Sequence, residues 1–396
     1  MMRKHVKNNV SWVGKIDWEL ESFHGADYSI NNGSSQNAYL IEEEKTVLID
    51  TVWKPHSTEF IDKLESEINL NKIDFIVCNH GEVDHSGSLP ALLEKIPNTP
   101  IYCTENAVKS LIGQYHHSEW NFHVVKTGDS VDIGNGKSLV FVEMRMLHWP
   151  DSMATYLTGD NILFSNDAFG QHLAVEELWA DKADQCHLWA EAMKYYANIL
   201  NPFSPLVKAK IEEIQRLNSP IDIIATSHGA IWRENPMAIV EKYYEWSQAY
   251  QEDQITIVYD TMWEGTKKLA EAIANELSVL APNTRVKLFN ISKTNKNDIM
   301  TEVFKSKAIA VGSPTVGNSV LSAVSGWLDF LRELKFKNKK AAVFGCYGWS
   351  GEAPKVLREE LTKFGFAVVE PEMKCNWNPE TKDLEKAKDI AQALVG

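Results

Sequence analysis

From Gln254 onward, short apolar runs and amphipathic stretches alternate with a regular beat. Strands are predicted at Ile255–Tyr259, Arg285–Asn290, Ala308–Gly312, Lys340–Gly345 and Phe366–Val369. Helices are predicted at Thr266–Leu277, Lys296–Lys305, Val320–Leu334, Ala353–Phe364 and Asp383–Leu394. Each strand is followed by a helix long enough to cross back over a sheet. Such a run folds as a doubly wound parallel five-stranded sheet. In the strand order 2-1-3-4-5, the ends of the first, third and fourth strands meet at one crevice.

Three loops lead out of those strands. The first holds Thr261, Met262, Trp263, Gly265 and Thr266. Its glycine and hydroxyls stand at a helix start, where backbone N–H groups bind phosphate without a basic side chain. The residue directly after the glycine is Thr266 and not Lys, so this is not a Walker P-loop. Alone, the loop reads as a capped helix. The second loop is Ser313, Pro314, Thr315, Val316, Gly317 and Asn318. The third contains Cys346, Tyr347, Gly348, Trp349 and Gly351. Three glycine-bearing loops at one crevice point to a single planar ligand, which Met262, Trp263, Tyr347 and Trp349 can wall in.

The preceding 250 residues mix strands and helices less regularly. A hairpin is predicted from Asn37–Ile41 and Thr46–Thr51, with further strands at Ile73–Cys78, Leu139–Met146, Asn161–Ser165 and Ile221–Thr226. Helical patterns fall at Ser57–Ile68, Leu89–Lys95, His187–Leu200, Pro205–Leu217 and Pro236–Tyr250. The break in rhythm sets two domains, residues 1–250 and 254–396.

Directly after the apolar strand Ile73–Cys78, the segment Asn79-His80-Gly81-Glu82-Val83-Asp84-His85 offers four potential metal ligands. A loop at a strand end can aim successive side chains at one point. A solvated polar loop accounts for one such residue, but poorly for His80, Glu82, Asp84 and His85 together. His148, Asp167 and His228 follow, each near a predicted strand end. Each alone is weak; their order with the first cluster carries the signal.

That order resembles the metallo-β-lactamase fold, whose usual signature is H-x-H-x-D-H, then His, Asp and His. Glu82 departs from it, standing where the hydrolases carry their second His. A carboxylate there shifts preference from zinc toward iron or manganese. The surroundings of His148 (Trp149-Pro150-Asp151-Ser152-Met153) and of Asp167 (Ser165-Asn166, then Ala168-Phe169-Gly170-Gln171-His172) resemble those of flavodiiron proteins. The second domain resembles flavodoxin. The resemblance spans nearly the whole chain and implies an N-terminal metallo-β-lactamase-like αβ/βα domain, then a flavodoxin-like domain that binds FMN.

It further implies two irons. His80, Glu82 and His148 would hold one, Asp84, His85 and His228 the other, and Asp167 would bridge them. In this family the histidine at the place of His85 can also turn away and leave water there. His172 would be a pocket residue with a part in catalysis; a structural imidazole is an equal reading of it. The implied activity is reduction of O2 to water, or of NO to N2O, by electrons passed through FMN. A separate donor is expected, rubredoxin or a deazaflavin coenzyme, and a head-to-tail homodimer or a tetramer. The alternative is a zinc hydrolase with an accessory flavodoxin domain.

The chain of 396 residues carries 40 basic and 54 acidic residues, a net charge of −14. That excess of acid argues against nucleic acid or an anionic membrane as partner. Five cysteines, Cys78, Cys103, Cys186, Cys346 and Cys375, form no C-x-x-C pair. They read as the thiols of a reduced, cytoplasmic protein without a built-in iron–sulfur module. Met1–Val13 has no apolar run of a signal peptide, and no stretch is apolar enough to span a membrane.

Overall fold

The computed structural model describes residues 3–216 and 219–396. The chain divides into two compact units: the described residues of Met1–Tyr195 with Phe203–Glu245, and Tyr196–Pro202 with Trp246–Gly396.

The first unit is built on two sheets. One runs in the order Lys4–Lys7, Val10–Trp12, Tyr39–Glu42, Thr46–Ile49, Ile73–Val77, Ile101–Cys103, Phe122–Val124. The other runs Ser130–Gly134, Lys137–Glu143, Met153–Leu157, Ile162–Asn166, Ile223–Thr226. Their inner faces share one core, where Trp12, Tyr39 and Phe75 meet Phe141, Met153 and Phe164. The outer face of the first sheet packs under the helices Ser57–Glu67, Leu89–Lys95 and Glu105–Tyr115.

The two-residue period of a strand decides which side chain goes where. Tyr39 and Ile41 enter the core between the sheets, while Ala38 and Leu40 enter the one under the helices. Phe75 and Val77 divide from Ile76 and Cys78 in the same way. Burying each large apolar side chain contributes roughly 2 kcal/mol, so a slip of one residue would forfeit many such terms. The register therefore fixes where each strand stops. Two central strands end at Ile49 and Val77. Asp50 follows the first directly, and Asn79 follows the second after Cys78.

The second unit is a parallel sheet in the order Arg285–Asn290, Glu252–Tyr259, Ser306–Gly312, Lys340–Tyr347, the predicted 2-1-3-4 arrangement. The fifth place differs from expectation. It is divided between Ala367–Val368 and Met373–Asn376, both paired with Lys340–Tyr347. Pro371 lies between them and has no N–H to give the ladder, so the strand is interrupted and resumes later. The predicted helix His187–Leu200 is α-helical over Gln185–Tyr195 and π-helical over Tyr196–Leu200. The predicted Pro205–Leu217 is helical over Ser204–Arg216, and its last residue, Leu217, lies outside the described residues. Among the described residues no helix is long and apolar enough to cross a membrane.

Candidate functional site

The strand Ile73–Val77 delivers the chain to Asn79, which is pinned on three sides. Its N–H and its amide donate to the two oxygens of Asp50, at 2.7 and 2.9 Å, and its Oδ1 accepts from Thr155 at 2.7 Å. His80 follows. Next, Gly81 N–H donates to Asp151 Oδ2 at 2.8 Å. The other oxygen of Asp151 is 3.2 Å from His80 Nδ1, an ion-pair approach that lacks the alignment of a hydrogen bond. Glu82 stands at the start of a single helical turn, Val83–Ser86, which carries Asp84 and His85. Asp167 follows the strand Ile162–Asn166, and His228 follows Ile223–Thr226.

These elements bring the seven residues into two donor groups. In the first, His80 Nε2 is 3.2 Å from Glu82 Oε2 and 3.6 Å from Asp167 Oδ2. His148 Nε2 is 3.7 Å from Glu82 Oε2 and 3.4 Å from Asp167 Oδ2. In the second, His85 Nε2 is 3.4 Å from Asp84 Oδ2 and 3.1 Å from Asp167 Oδ1. His228 Nε2 is 3.1 Å from Asp84 Oδ2 and 3.3 Å from Asp167 Oδ1. Asp167 thus turns one oxygen to each group.

The donor atoms fit metal ions. Ligands about 2.1 Å from a shared ion lie roughly 3 to 3.5 Å from one another, close to the 3.1–3.7 Å found. Both oxygens of Asp167 and Nε2 of His85, all three in the donor groups, are buried and make no aligned hydrogen bond. Buried polar atoms almost always find partners, so atoms that crowd without bonding are aimed at something between them. His228 Nδ1 lies 2.8 Å from the Ser35 carbonyl, which can only accept. The ring proton is therefore on Nδ1, and Nε2 keeps its lone pair whenever the ring is neutral. Three carboxylates and four imidazoles make a mixed oxygen and nitrogen set, suited to iron or manganese.

The local field is strong. Burial alone would depress the pKa of His228, but the carboxylates of Asp167 and Asp84, 3.3 and 3.1 Å from its Nε2, outweigh it and push it up to about 10. Burial would raise Glu82, yet His24 and His80 hold it down to about 2. Asp84 and Asp167 are likewise held below the usual carboxylate range, against burial, by His85 and His228. His172 differs. Burial, with the nearby His228, drives it well below its ordinary value, so it is a neutral imidazole. Its Nδ1 is 2.9 Å from Ser34 Oγ and its ring 4.9 Å from that of His228, but it gives no atom to either donor group.

Several residues that meet this site carry no legible signal in the sequence. Phe23, His24 and Tyr28 come from a two-stranded hairpin, Ser22–Phe23 with Tyr28–Ser29, too short to show a period. Asp151 is visible only as a neighbour of His148, and Asp50 only as a turn after a strand. Their roles depend on contacts across the fold.

In the second unit, a cavity of about 480 Å³ opens at the C-terminal ends of the parallel strands. Thr261, Met262, Trp263, Gly265, Thr266, Pro314, Thr315, Cys346, Tyr347, Gly348 and Trp349 line it. Trp377 and Asn378 do so too, from the segment after Met373–Asn376, which has no place among the three predicted loops. Ser313, Val316, Gly317, Asn318 and Gly351, expected in this site, do not line it. They shape its loops instead. Ser313 Oγ accepts from Leu321 N–H, Val316 and Ser319 bridge each other, and Asn318 donates to Glu352. Gly317 and Gly351 supply positive φ.

The cavity suits a phosphorylated planar ring. Thr266 Oγ1, in the first turn of the helix Gly265–Leu280, is buried and makes no aligned hydrogen bond among the described residues. It and the free N–H groups of that turn are donors for a phosphate. Gly265 is closely packed: a Cβ there would lie 3.1 Å from Cys346 Sγ and 3.3 Å from the Trp377 carbonyl. Above it the indoles of Trp263 and Trp349 are almost fully exposed, and the Trp349 and Trp377 rings are 6.4 Å apart.

An αβ/βα unit with two donor groups joined by one carboxylate, followed by a flavodoxin-like sheet, defines a flavin-linked dimetal oxidoreductase. Residues 34–229 match the ODP family beta lactamase model and residues 257–389 the flavodoxin model. Among curated proteins, the chain is 54% identical to an anaerobic nitric oxide reductase flavorubredoxin of Vibrio vulnificus, over 100% of this chain and 80% of that one. The same-named protein of Aliivibrio fischeri is 54% identical, over 100% and 79%. Among solved structures, rubredoxin oxygen:oxidoreductase from Desulfovibrio gigas superposes with a TM-score of 0.95 at 35% identity, over 99% and 98% of the two chains. The flavodiiron protein from Giardia intestinalis does so with a TM-score of 0.94 at 30% identity, over 100% and 97%. This chain belongs to the flavodiiron protein family.

Proposed function

We propose that this protein reduces O2 to water and nitric oxide to nitrous oxide at a diiron centre supplied with electrons through FMN. The observation that carries the reading is Asp167, whose two oxygens face two separate groups of nitrogen and oxygen donors. His80, Glu82 and His148 would hold one iron, Asp84, His85 and His228 the other, with Asp167 between them. Thr261, Gly265 and Thr266 would hold the flavin phosphate, with Trp263, Tyr347, Trp349 and Trp377 around its ring. Bound there, FMN would supply two electrons and each ferrous iron one, the four that O2 needs; two NO need two.

The chain's own residues prepare the site for that chemistry. Ser35 and Asp151 fix the rings of His228 and His80 from behind. Burial of the carboxylates excludes bulk water and strengthens their attraction for cations. His172, neutral and tied to Ser34, faces the site as a ring that adds no charge.

We read residues 1–250 as the diiron domain and 254–396 as the FMN domain, in line with the two matched family models. The electron donor would be rubredoxin or a deazaflavin coenzyme. The relatives' names, flavorubredoxin and rubredoxin oxygen:oxidoreductase, favour the first. The working form would be a homodimer or tetramer in the cytoplasm, where five free thiols persist. The test is anaerobic purification, metal and flavin analysis, and turnover with O2 and NO side by side. About two irons and one FMN per chain, with consumption of either gas, are expected. A protein active with zinc and indifferent to iron would overturn the reading in favour of a hydrolase.

A further inference from the structure

The hairpin Ser22–Phe23 with Tyr28–Ser29 contributes no atom to either donor group, yet it closes over both. The Phe23 ring lies 4.7 Å from that of His172 and 5.6 Å from that of His228. At the turn, His24 adopts a left-handed backbone, φ +53°. Its Nε2 comes to 3.0 Å from Glu82 Oε1.

The two oxygens of Glu82 are thereby divided. Oε2 is the one that faces His80 and His148, at 3.2 and 3.7 Å. Oε1 is taken by His24. An ionised carboxylate oxygen can only accept, so the proton of this bond is on Nε2. Glu82 is buried while the His24 side chain is 43% exposed, so the bond reaches from the rim of the site to its interior.

We propose that His24 is a positioning residue for the metal centre: it holds Glu82 to binding through one oxygen. The place that Oε1 would otherwise take on the metal is then left for a small substrate. The issue is peculiar to a glutamate. An imidazole at this position has one nitrogen to offer and cannot chelate, whereas a carboxylate with a free second oxygen can swing to bind through both. A charge-assisted hydrogen bond to that second oxygen is the restraint. Removing a partner of a metal ligand commonly changes metal affinity or activity by tenfold or more. This inference rests on the diiron reading above.

The test compares the full-length parent with His24→Ala and His24→Gln, each loaded with iron anaerobically. Iron per chain is measured first. Near-infrared magnetic circular dichroism of the ferrous proteins then counts ligands at each iron, and titration with nitric oxide gives its affinity. All three proteins are expected to hold about two irons. In His24→Ala one iron gains a ligand and nitric oxide binds about tenfold more weakly. In His24→Gln, whose amide N–H can still donate to Oε1, both properties stay as in the parent. An unchanged spectrum and affinity in His24→Ala overturns the inference. So does loss of its iron, because His24 would then be needed for binding and not for orientation. A glutamine variant that behaves like alanine also overturns it, since the donor would not be the cause. A parent that binds no iron overturns the diiron reading instead, so the two failures are distinct.

Discussion

Asp151 serves one histidine from two directions: one oxygen takes the Gly81 N–H and the other lies beside His80 Nδ1. Burial would raise its pKa, but His80 and the Gly81 N–H hold it below the usual carboxylate range. Asp151→Ala should therefore leave the fold in place and weaken iron binding about 10- to 100-fold, read by competition with a chelator. Iron held as tightly as in the parent would mean that the ring needs no such support. Thr266 makes a parallel case in the other unit. Among the described residues its buried hydroxyl makes no aligned hydrogen bond. Thr266→Ala should cost about 1 kcal/mol or more of FMN affinity, measured by equilibrium dialysis. At this scale the seven candidate ligands could be picked from the order of His80, Glu82, Asp84, His85, His148, Asp167 and His228. Asp151 could not be ranked above any other acid near a histidine, because its partner Gly81 is distant in the sequence.

Elements turn those residues into a site by where they stop. Gly229 follows His228 with φ +71°, and a Cβ there would fall 1.9 Å from Gln171 Oε1. Gly229→Ala should lower stability by about 2 kcal/mol, through backbone strain and overpacking, and displace His228 so that iron content falls. Thermal melting and metal analysis read the two effects separately. At the opposite end of the parallel sheet, Lys339 is buried and its Nζ meets the carbonyls of Tyr250, Phe304 and Ser306 at 3.2, 2.9 and 2.6 Å. Burial pushes its pKa down to about 7, while the unfolded chain titrates near 10.5. Between those values the unfolded state binds the extra proton, so stability rises with pH, by at most about 1.4 kcal/mol per unit. The contribution is complete above the unfolded value and lost as pH falls toward 7. Lys339→Met should be less stable than the parent, since the carbonyls around Nζ lose the donor they share, and its melting point should lack this rise between about pH 7 and 10. The alternation of strand and helix was plain in the sequence here. The divided fifth strand was not, because two short pieces of strand around Pro371 show no period of their own.

For the whole molecule, the proposed head-to-tail dimer makes a sharp demand: one chain's flavin should serve the other chain's irons. A metal-dead variant, His80→Ala with Asp167→Ala, and a flavin-dead variant, Thr266→Ala with Gly348→Trp, should each be inactive. Gly348→Trp suits the purpose because even a Cβ there would sit 3.0 Å from the Trp377 ring. Mixed into hybrid dimers, the two should regain gas reduction. Hybrids that demonstrably form, hold both cofactors and stay inactive would place the electron path within one chain. The sequence by itself determined the two architectures, the ligand order and the three loops at the crevice. Periodicity and ligand spacing are local properties, and a local pattern is legible along the chain. The tertiary structure alone decided that Asp167 turns one oxygen to each donor group, that His24 takes the outer oxygen of Glu82, and that Trp377 joins the cavity wall. Those facts rest on ångström-scale approaches between segments far apart in sequence, which only the packing of the two cores fixes.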